Sequence, residues 1–533
     1  MAQLNNLISW WWEVRNNNNK FTMSLVTISV LIFAILWYKF KYLSFKNGLP
    51  SLPPGPRSLP IVGFLPFLGP ELNKQFTNMA RTYGPIFKFY VGTKLHVIIN
   101  TPELAKVVVR DQDETFANHN LTIAASIITY GGQDIAWANN SSHWRNLRKM
   151  FVHEVLSNKN LDACSPFRRN EVRKTIKNVY SKIGTAVNIS EIAFSTETNV
   201  ITNMVWENYS SDNGANGTQL GVELQMLASK IVELLGTPNL SDFFPSLAWF
   251  DVQGVAREMK KQLKKLEELL NNIIDDRIKY NSRRTEDGVK HEVKKDFLQV
   301  LLDLKDQKDA TSLNFFQIKA LLMDIMVAGT ETTTTMIEWT MTEILKNHNV
   351  MKRVQEELSE IVGINNIVEE FHLAKLKYLD ATIKETSRLH PVAPLLIPRS
   401  PSKTCIVGGY MIPKGCNVFL NVWSIQRDPR YWDNPQEFNP ERFLSYEDAN
   451  KWDNSGNNLN FFPFGSGRRL CPGLPVAEIM QKYILASFFH SFDWSLPNGE
   501  KHDVSEKFGI TLKKLKPLIA IPSPRLPNLS LYV

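Results

Sequence analysis

The feature that most limits what this chain can become is FFPFGSGRRLCPG, residues 461–473. It holds Cys471, one of only 4 cysteines in 533 residues. A thiolate, not a thiol, binds metal, and positive charge and amide N–H groups stabilise it. Gly465, Gly467 and Gly473 let a backbone turn tightly enough to point N–H groups at a sulfur, and Arg469 stands two residues before it. A single cysteine without partner cysteines or histidines cannot complete a zinc or iron–sulfur site. It can be the one axial ligand of a haem.

The remaining cysteines, Cys164, Cys405 and Cys416, are widely spaced, with no C-x-x-C pattern. This argues for reduced thiols in a cytosolic compartment, not for a disulfide framework. Hydrophobic residues are 43% and charged residues 21%, a globular balance. The net charge of +8 points to an anionic membrane surface or an acidic partner protein. Zinc-finger spacing and a long basic arm are both missing, so nucleic acid is not an expected partner.

Residues 21–38, FTMSLVTISVLIFAILWY, carry no charge and are just long enough to cross a hydrocarbon core as a helix. Trp37, Tyr38, Lys39 and Lys41 follow where a cleaved signal would show small residues, so an uncleaved anchor is expected. Lysines and arginines are in excess on its C-terminal side, which puts the body in the cytosol. Residues 48–60, GLPSLPPGPRSLP, hold 5 prolines and read as a semi-rigid hinge. The expected organisation is a tail over 1–20, an anchor over 21–38, the hinge over 48–60 and one large domain over 61–533.

That domain reads as mainly helical with small β regions. IFKFYV and LHVII, split at Gly92, predict a hairpin; Thr101-Pro102 predicts a helix start. Leu263, Leu266, Leu269, Leu270 and Ile273 form one stripe of a helix over 255–280. CIVGGYMIPKGCNVFLNVW predicts a second hairpin with its turn at Pro413 and Gly415.

Three further motifs bear on chemistry. In KETSRLHP, Glu385 and Arg388 share a helix face, and Arg442 of PERF could join them in a buried charge network. AGTETTTT, residues 328–335, lies inside a helical run over 315–346. Its glycine and threonines are poor helix formers, so a local opening is expected there. Glu331 beside Thr332 sets an acid next to a hydroxyl, which suits proton delivery. In WRNLRK, Trp144 and Arg148 are four apart, and arginine suits a planar grip on a carboxylate.

Taken together, these motifs resemble the cytochrome P450 family of haem-thiolate monooxygenases. The family's cysteine signature is complete in Phe464, Gly467, Arg469, Cys471 and Gly473. PPGPR, AGTETT and FGSGRRLCPG resemble plant microsomal members. ITYGGQDIAW, LLMDIMVAGTETTTTMIEWTM and VGGYMIPKGCNVFLNVWSIQRDP resemble a plant group that includes sesquiterpene hydroxylases. ANNSSHW departs from the usual tyrosine-containing approach to the tryptophan.

The resemblance implies the cytochrome P450 fold and haem b with Cys471 as proximal ligand. It places Trp144, Arg148, Arg399 and Arg469 on the haem propionates, and makes Glu385, Arg388 and Arg442 a structural network. Thr332 and Glu331 become the proton-delivering pair on the distal side. Electrons would come from NADPH through a membrane-bound reductase, which would meet a basic proximal face. The implied reaction is hydroxylation, with O2, of a small hydrophobic metabolite, terpenoid in class, at the endoplasmic reticulum membrane. Candidate substrate contacts are Ile123, Ile127, Val327, Ala328, Val392 and Leu396. The competing readings are an O2-independent rearrangement or dehydration, a membrane haem protein without turnover, and a basic membrane protein without haem.

Overall fold

A computed structural model describes residues 25–29, 32–33, 36, 50–206, 214–286, 296–306, 312–444 and 452–533. The expected anchor over 21–38 lies largely outside them. Among the described residues, no helix is long and apolar enough to cross a membrane. The described part of the hinge is extended and pinned to the body: the Pro54 carbonyl accepts the Lys88 N–H at 2.8 Å and the Ser51 carbonyl accepts that of Met411 at 3.0 Å.

Helices that position the site are α1 (Leu72–Tyr83), α2 (Ser142–Met150), α3 (Ile189–Val205), α4 (Val255–Glu286), α5 (Phe315–Lys346), α6 (His348–Ile361), α7 (Lys377–Leu389) and α8 (Leu474–Ser491). Strands β1 (Ile86–Val91), β2 (Lys94–Ile99), β3 (Asn118–His119), β4 (Arg399–Ser400), β5 (Cys405–Val407), β6 (Tyr410–Ile412) and β7 (Asn417–Leu420) lie to one side. The predicted β1–β2 hairpin forms, with Ile86 opposite Ile99. It extends into a five-stranded sheet of order β1-β2-β7-β4-β3.

The second hairpin differs from expectation. Its turn is Gly408-Gly409, both at positive φ, with β5 and β6 as its arms. Two successive left-handed residues match strand twist, and glycine adopts them without strain. The segment at Pro413 and Gly415 instead leads into β7, which pairs in parallel with β2.

The long helix α5 spans the main hydrophobic cluster. Asn314 caps it: its side chain accepts the Gln317 N–H at 2.9 Å, and Gln317 Oε1 accepts the Asn314 N–H at 2.7 Å. That reciprocal pair satisfies two end groups of a helix about 48 Å long. Gly329 has a packing reason, because a Cβ there would sit 3.3 Å from Ile201 Cδ1 on α3. The threonine hydroxyls bond back one turn as expected, Thr330 to Met326 O at 2.7 Å and Thr335 to Glu331 O at 2.8 Å. The expected local opening is not there: the helix runs unbroken. Packing of both flanks overrides the weak propensity of the threonines.

Candidate active site

The loop before α8 is shaped by glycine in two places. Gly465 and Gly467 have φ of 77° and 68°, and a Cβ on Gly467 would lie 2.5 Å from the Val109 carbonyl oxygen. Gly473 has an ordinary negative φ; its service is its N–H. The Cys471 N–H donates to Phe464 O at 3.0 Å, which folds the loop back on itself. Burial pushes the Cys471 thiol up, while the Gly473 and Leu474 amides and the Arg148 guanidinium pull it back towards thiolate. Those donors fit a sulfur that must stay ionised against a metal.

Around this loop the structure gathers the predicted cationic residues. Arg469 donates to Ala117 O at 2.7 Å, to Ile135 O at 3.1 Å and to Ala138 O. Its guanidinium lies 4.1 Å from the centre of the Trp144 ring. Trp144 is buried and its indole N–H donates to Ile135 O at 3.0 Å. Arg148, on α2, donates to Leu470 O. Arg399, on β4, donates to Ser466 O at 2.6 Å and reaches Asp113 at 3.4 Å.

Crowding these cations in a dry place is unfavourable. Burial first, then the Arg399 and Arg148 charges, bring Arg469 down to about 9. Burial brings Arg399 to about 10 against the pull of Asp113. Arg468 joins them from the surface, 3.5 Å from Asp113. Arg399 and Arg468 meet Asp113, Arg469 is drawn by Asp134 and Asp113, and Arg148 is drawn by Cys471, so four guanidiniums share two carboxylates, an excess of two positive charges among these groups. The two propionates of a haem carry that charge with opposite sign, so the residues present fit the group. His119 stays neutral here: burial, then Arg469 and Arg399, hold it down at about 3, and its ring Nδ1 meets Pro398 O at 2.7 Å.

The structure brings Glu385, Arg388 and Arg442 together. Glu385 and Arg388 are both fully buried and bound side by side, at 2.7 and 2.8 Å. Arg388 also donates to the carbonyls of Gln426, Pro435 and Glu437. Arg442 approaches Glu385 to 3.4 Å, and the Asn439 N–H donates to the same carboxylate at 2.9 Å. Gln426 escaped the sequence reading. It donates to Ser387 O and Arg388 O and accepts the Phe462 N–H at 3.1 Å, which ties the network to the cysteine loop. Asp113 escaped too, because nothing local marks a carboxylate that will meet Arg399 and Arg468, 286 and 355 positions away.

On α5, Ala328 is exposed and Gly329 and Thr332 half-buried, in a helix otherwise mostly buried. A gap in burial on one side of a core helix is what a ligand face leaves. Thr332 donates to Ala328 O at 2.7 Å, and Glu331 is buried and ion-paired with Lys513, a residue not foreseen. Val327 is buried in the main hydrophobic cluster, and Ile127 packs against the same cluster. Leu396 holds a left-handed φ of 52° and stands 3.9 Å from where a Gly465 Cβ would be, so it does border the cysteine loop. Val392, Ile123 and Ile127 are half-buried, and Asp242 fixes the Ile123 N–H at 2.7 Å. Phe464 is half-buried within the loop. A cleft of about 1040 Å³ opens elsewhere, beside α1, and none of the predicted residues lines it.

Comparison with known proteins agrees with this geometry. The family profile described as Cytochrome P450 matches residues 53–521. Cytochrome P450 76C1 of Arabidopsis thaliana is 37% identical over 91% of this chain and 94% of its own. The flavonoid 3',5'-hydroxylase of Campanula medium is 34% identical over 96% and 99%. The 3,9-dihydroxypterocarpan 6A-monooxygenase of Glycine max is 36% identical over 94% and 97%. A zebrafish cytochrome P450 solved with abiraterone superposes with a TM-score of 0.70 at 26% identity, over 85% of this chain and 100% of that one.

Proposed function

The chain belongs to the cytochrome P450 family, and on that premise we propose that Cys471 is its haem ligand and a hydrophobic plant metabolite, terpenoid in class, its substrate. The family uses a haem with a cysteine thiolate ligand, and the chain is a monooxygenase. When bound, the haem supplies the oxidising power that places one atom of O2 on a C–H bond. The observation that carries the site assignment is the pairing of sulfur-directed amides with an uncompensated arginine cluster around one loop.

The side chains then divide the work. Arg469, Arg399, Arg148 and Trp144 orient the cofactor's carboxylates. Amides of Gly473 and Leu474 keep the sulfur anionic. Thr332 and Glu331 move protons on the distal side. The Thr332 hydroxyl is committed to Ala328 O and frees its hydrogen by rotating about χ1. Lys513 has a side chain 38% exposed and Glu331 one 5% exposed, so their ion pair joins a buried acid to solvent. Leu396, Ala328, Val392, Ile123 and Ile127 give the substrate an apolar wall. Arg145, Lys149 and Arg468 are exposed on the proximal side and suit an acidic, NADPH-fed reductase at the endoplasmic reticulum membrane. The anchor over 21–38 would hold the body there.

The names of the similar proteins favour a second substrate reading, a flavonoid-like or other aromatic metabolite. The deciding experiment supplies membranes containing the protein and a reductase with a panel of terpenes and flavonoids. Product formed with NADPH-dependent oxygen consumption on terpenes supports the first reading, and on flavonoids alone the second. Absence of a thiolate-type spectrum on reduction under carbon monoxide sinks both.

A further inference from the structure

The loop over 130–140 is tied to α5 by one carboxyl group and folded on itself by another. It starts with three left-handed residues, Tyr130, Gly131 and Gly132 at φ 53°, 77° and 89°. Asp134 is fully buried, and its oxygens accept the N–H groups of Trp137 at 3.0 Å and Ala138 at 3.1 Å. Asp324, from α5, accepts the Ile135 N–H at 2.9 Å. Two carboxyls from different elements therefore cap neighbouring amides of one loop. The same loop spends its carbonyls on the other side: Ile135 O serves Trp144 and Arg469, and Ala138 O serves Arg469.

We propose that Asp324, with Asp134, is a positioning pair for haem binding, holding this loop so that its carbonyls seat Arg469 and Trp144 in their gripping orientation. The inference rests on the assignment of Arg469 to the haem carboxylates. Neither aspartate touches the cofactor's site directly; both act through the loop.

Charge sets the conditions under which the pair works. Asp134 is buried and Asp324 half-buried, and two carboxyls facing each other across one loop resist ionising together. Burial, then the Asp134 charge, drives Asp324 well above the usual carboxylate range. Burial raises Asp134 to about 6, against its three amide donors and Arg469. Between them the two carboxyls hold a proton to higher pH than a lone exposed carboxyl would, and Asp324 accepts from Ile135 with or without it. The other charged or titratable groups that meet this loop are Arg469, Arg145 at 3.2 Å from the Asn140 side-chain oxygen, neutral His119 with its ring 6.3 Å from Trp137, and Glu267 beside Tyr130. Raising the pH removes the proton held by the pair, sets two carboxylates against each other and loosens the loop.

The test follows haem transfer from the holoprotein to excess apomyoglobin across the neutral to alkaline range. Wild type should lose haem faster on the alkaline side. Asp324→Asn keeps the acceptor but cannot ionise, so it should match wild type at neutral pH and lack the alkaline acceleration. Asp324→Ala should lose haem about ten- to a hundredfold faster at every pH. An alkaline acceleration unchanged in Asp324→Asn overturns the proposal, and that arm holds even where the alanine variant fails to fold. Wild-type retention in Asp324→Ala overturns it as well. Arg469→Ala separates the premise: slow haem loss there removes the Arg469 assignment, whereas fast loss there with normal Asp324→Ala removes only the pair.

Discussion

Two buried arginine sites in this molecule are built on opposite terms. At Glu385 and Arg388, the guanidinium meets a carboxylate along two parallel hydrogen bonds and spends its other donors on three carbonyls. At the cysteine loop, Arg148, Arg399 and Arg469 each meet a backbone carbonyl and, with less carboxylate than guanidinium around them, repel one another. The first site is complete as folded protein. The second, on the function proposed above, becomes complete when the haem carboxylates arrive. A buried ion pair closed on itself specifies structure, whereas an open cluster of like charge specifies a ligand.

Variants can break this contrast. Cys471→Ser has the largest expected effect: the thiolate-type spectrum under carbon monoxide is lost altogether, while far-ultraviolet circular dichroism persists. Glu385→Gln leaves Arg388 buried without its counter-charge and should cost about 3–5 kcal/mol in denaturant unfolding, with or without haem. Arg469→Ala should weaken haem retention about ten- to a hundredfold yet leave the apoprotein as stable or more so, because it relieves crowding. Equal destabilisation of the apoprotein by both variants would erase the distinction. Thr332→Ala should keep the spectrum and the stability while product per NADPH consumed falls by about one to two orders of magnitude.

The smallest effect concerns a buried acid without a hydrogen-bond partner among the described residues, eased only by the more distant Arg168 charge. Glu197 lies in α3, both its oxygens lack hydrogen-bond partners, and burial raises it from 4.5 to about 8. The folded protein therefore holds a proton that the unfolded chain has released, and stability falls as pH rises from about 4.5 through about 8. Glu197→Gln cannot ionise, so its unfolding midpoint should fall less across that range; an identical pH slope in both proteins would remove the assignment.

Much of this was legible in the sequence. The bounds of α5 and the β1–β2 hairpin follow from periodicity and turn residues, which are local. The cysteine loop was legible because its glycines and arginines lie within 13 residues. The turn of the second hairpin was misplaced because proline and glycine at 413 and 415 give as strong a local signal as the two glycines that make it. The threonine run was expected to open α5, but neighbours on both flanks decide that, and they are remote in sequence. Asp113, Gln426, Asp134 and Lys513 carry no local signature, since each becomes informative only beside its distant partner. Val327 and Ala328 are adjacent, and only the orientation of the helix tells core from opening.

The contact between Asp113 and the Arg468 amide spans 355 residues, and that fixes when the haem can be captured. Gly467 can close against the Val109 carbonyl only after nearly the whole chain has been made. At about 5–20 residues per second, the first half of the seat waits on the order of twenty to seventy seconds for the second. Haem loading is therefore a late event in the life of this protein, and truncations near the C-terminus should accumulate haem-free, however well their earlier helices have formed.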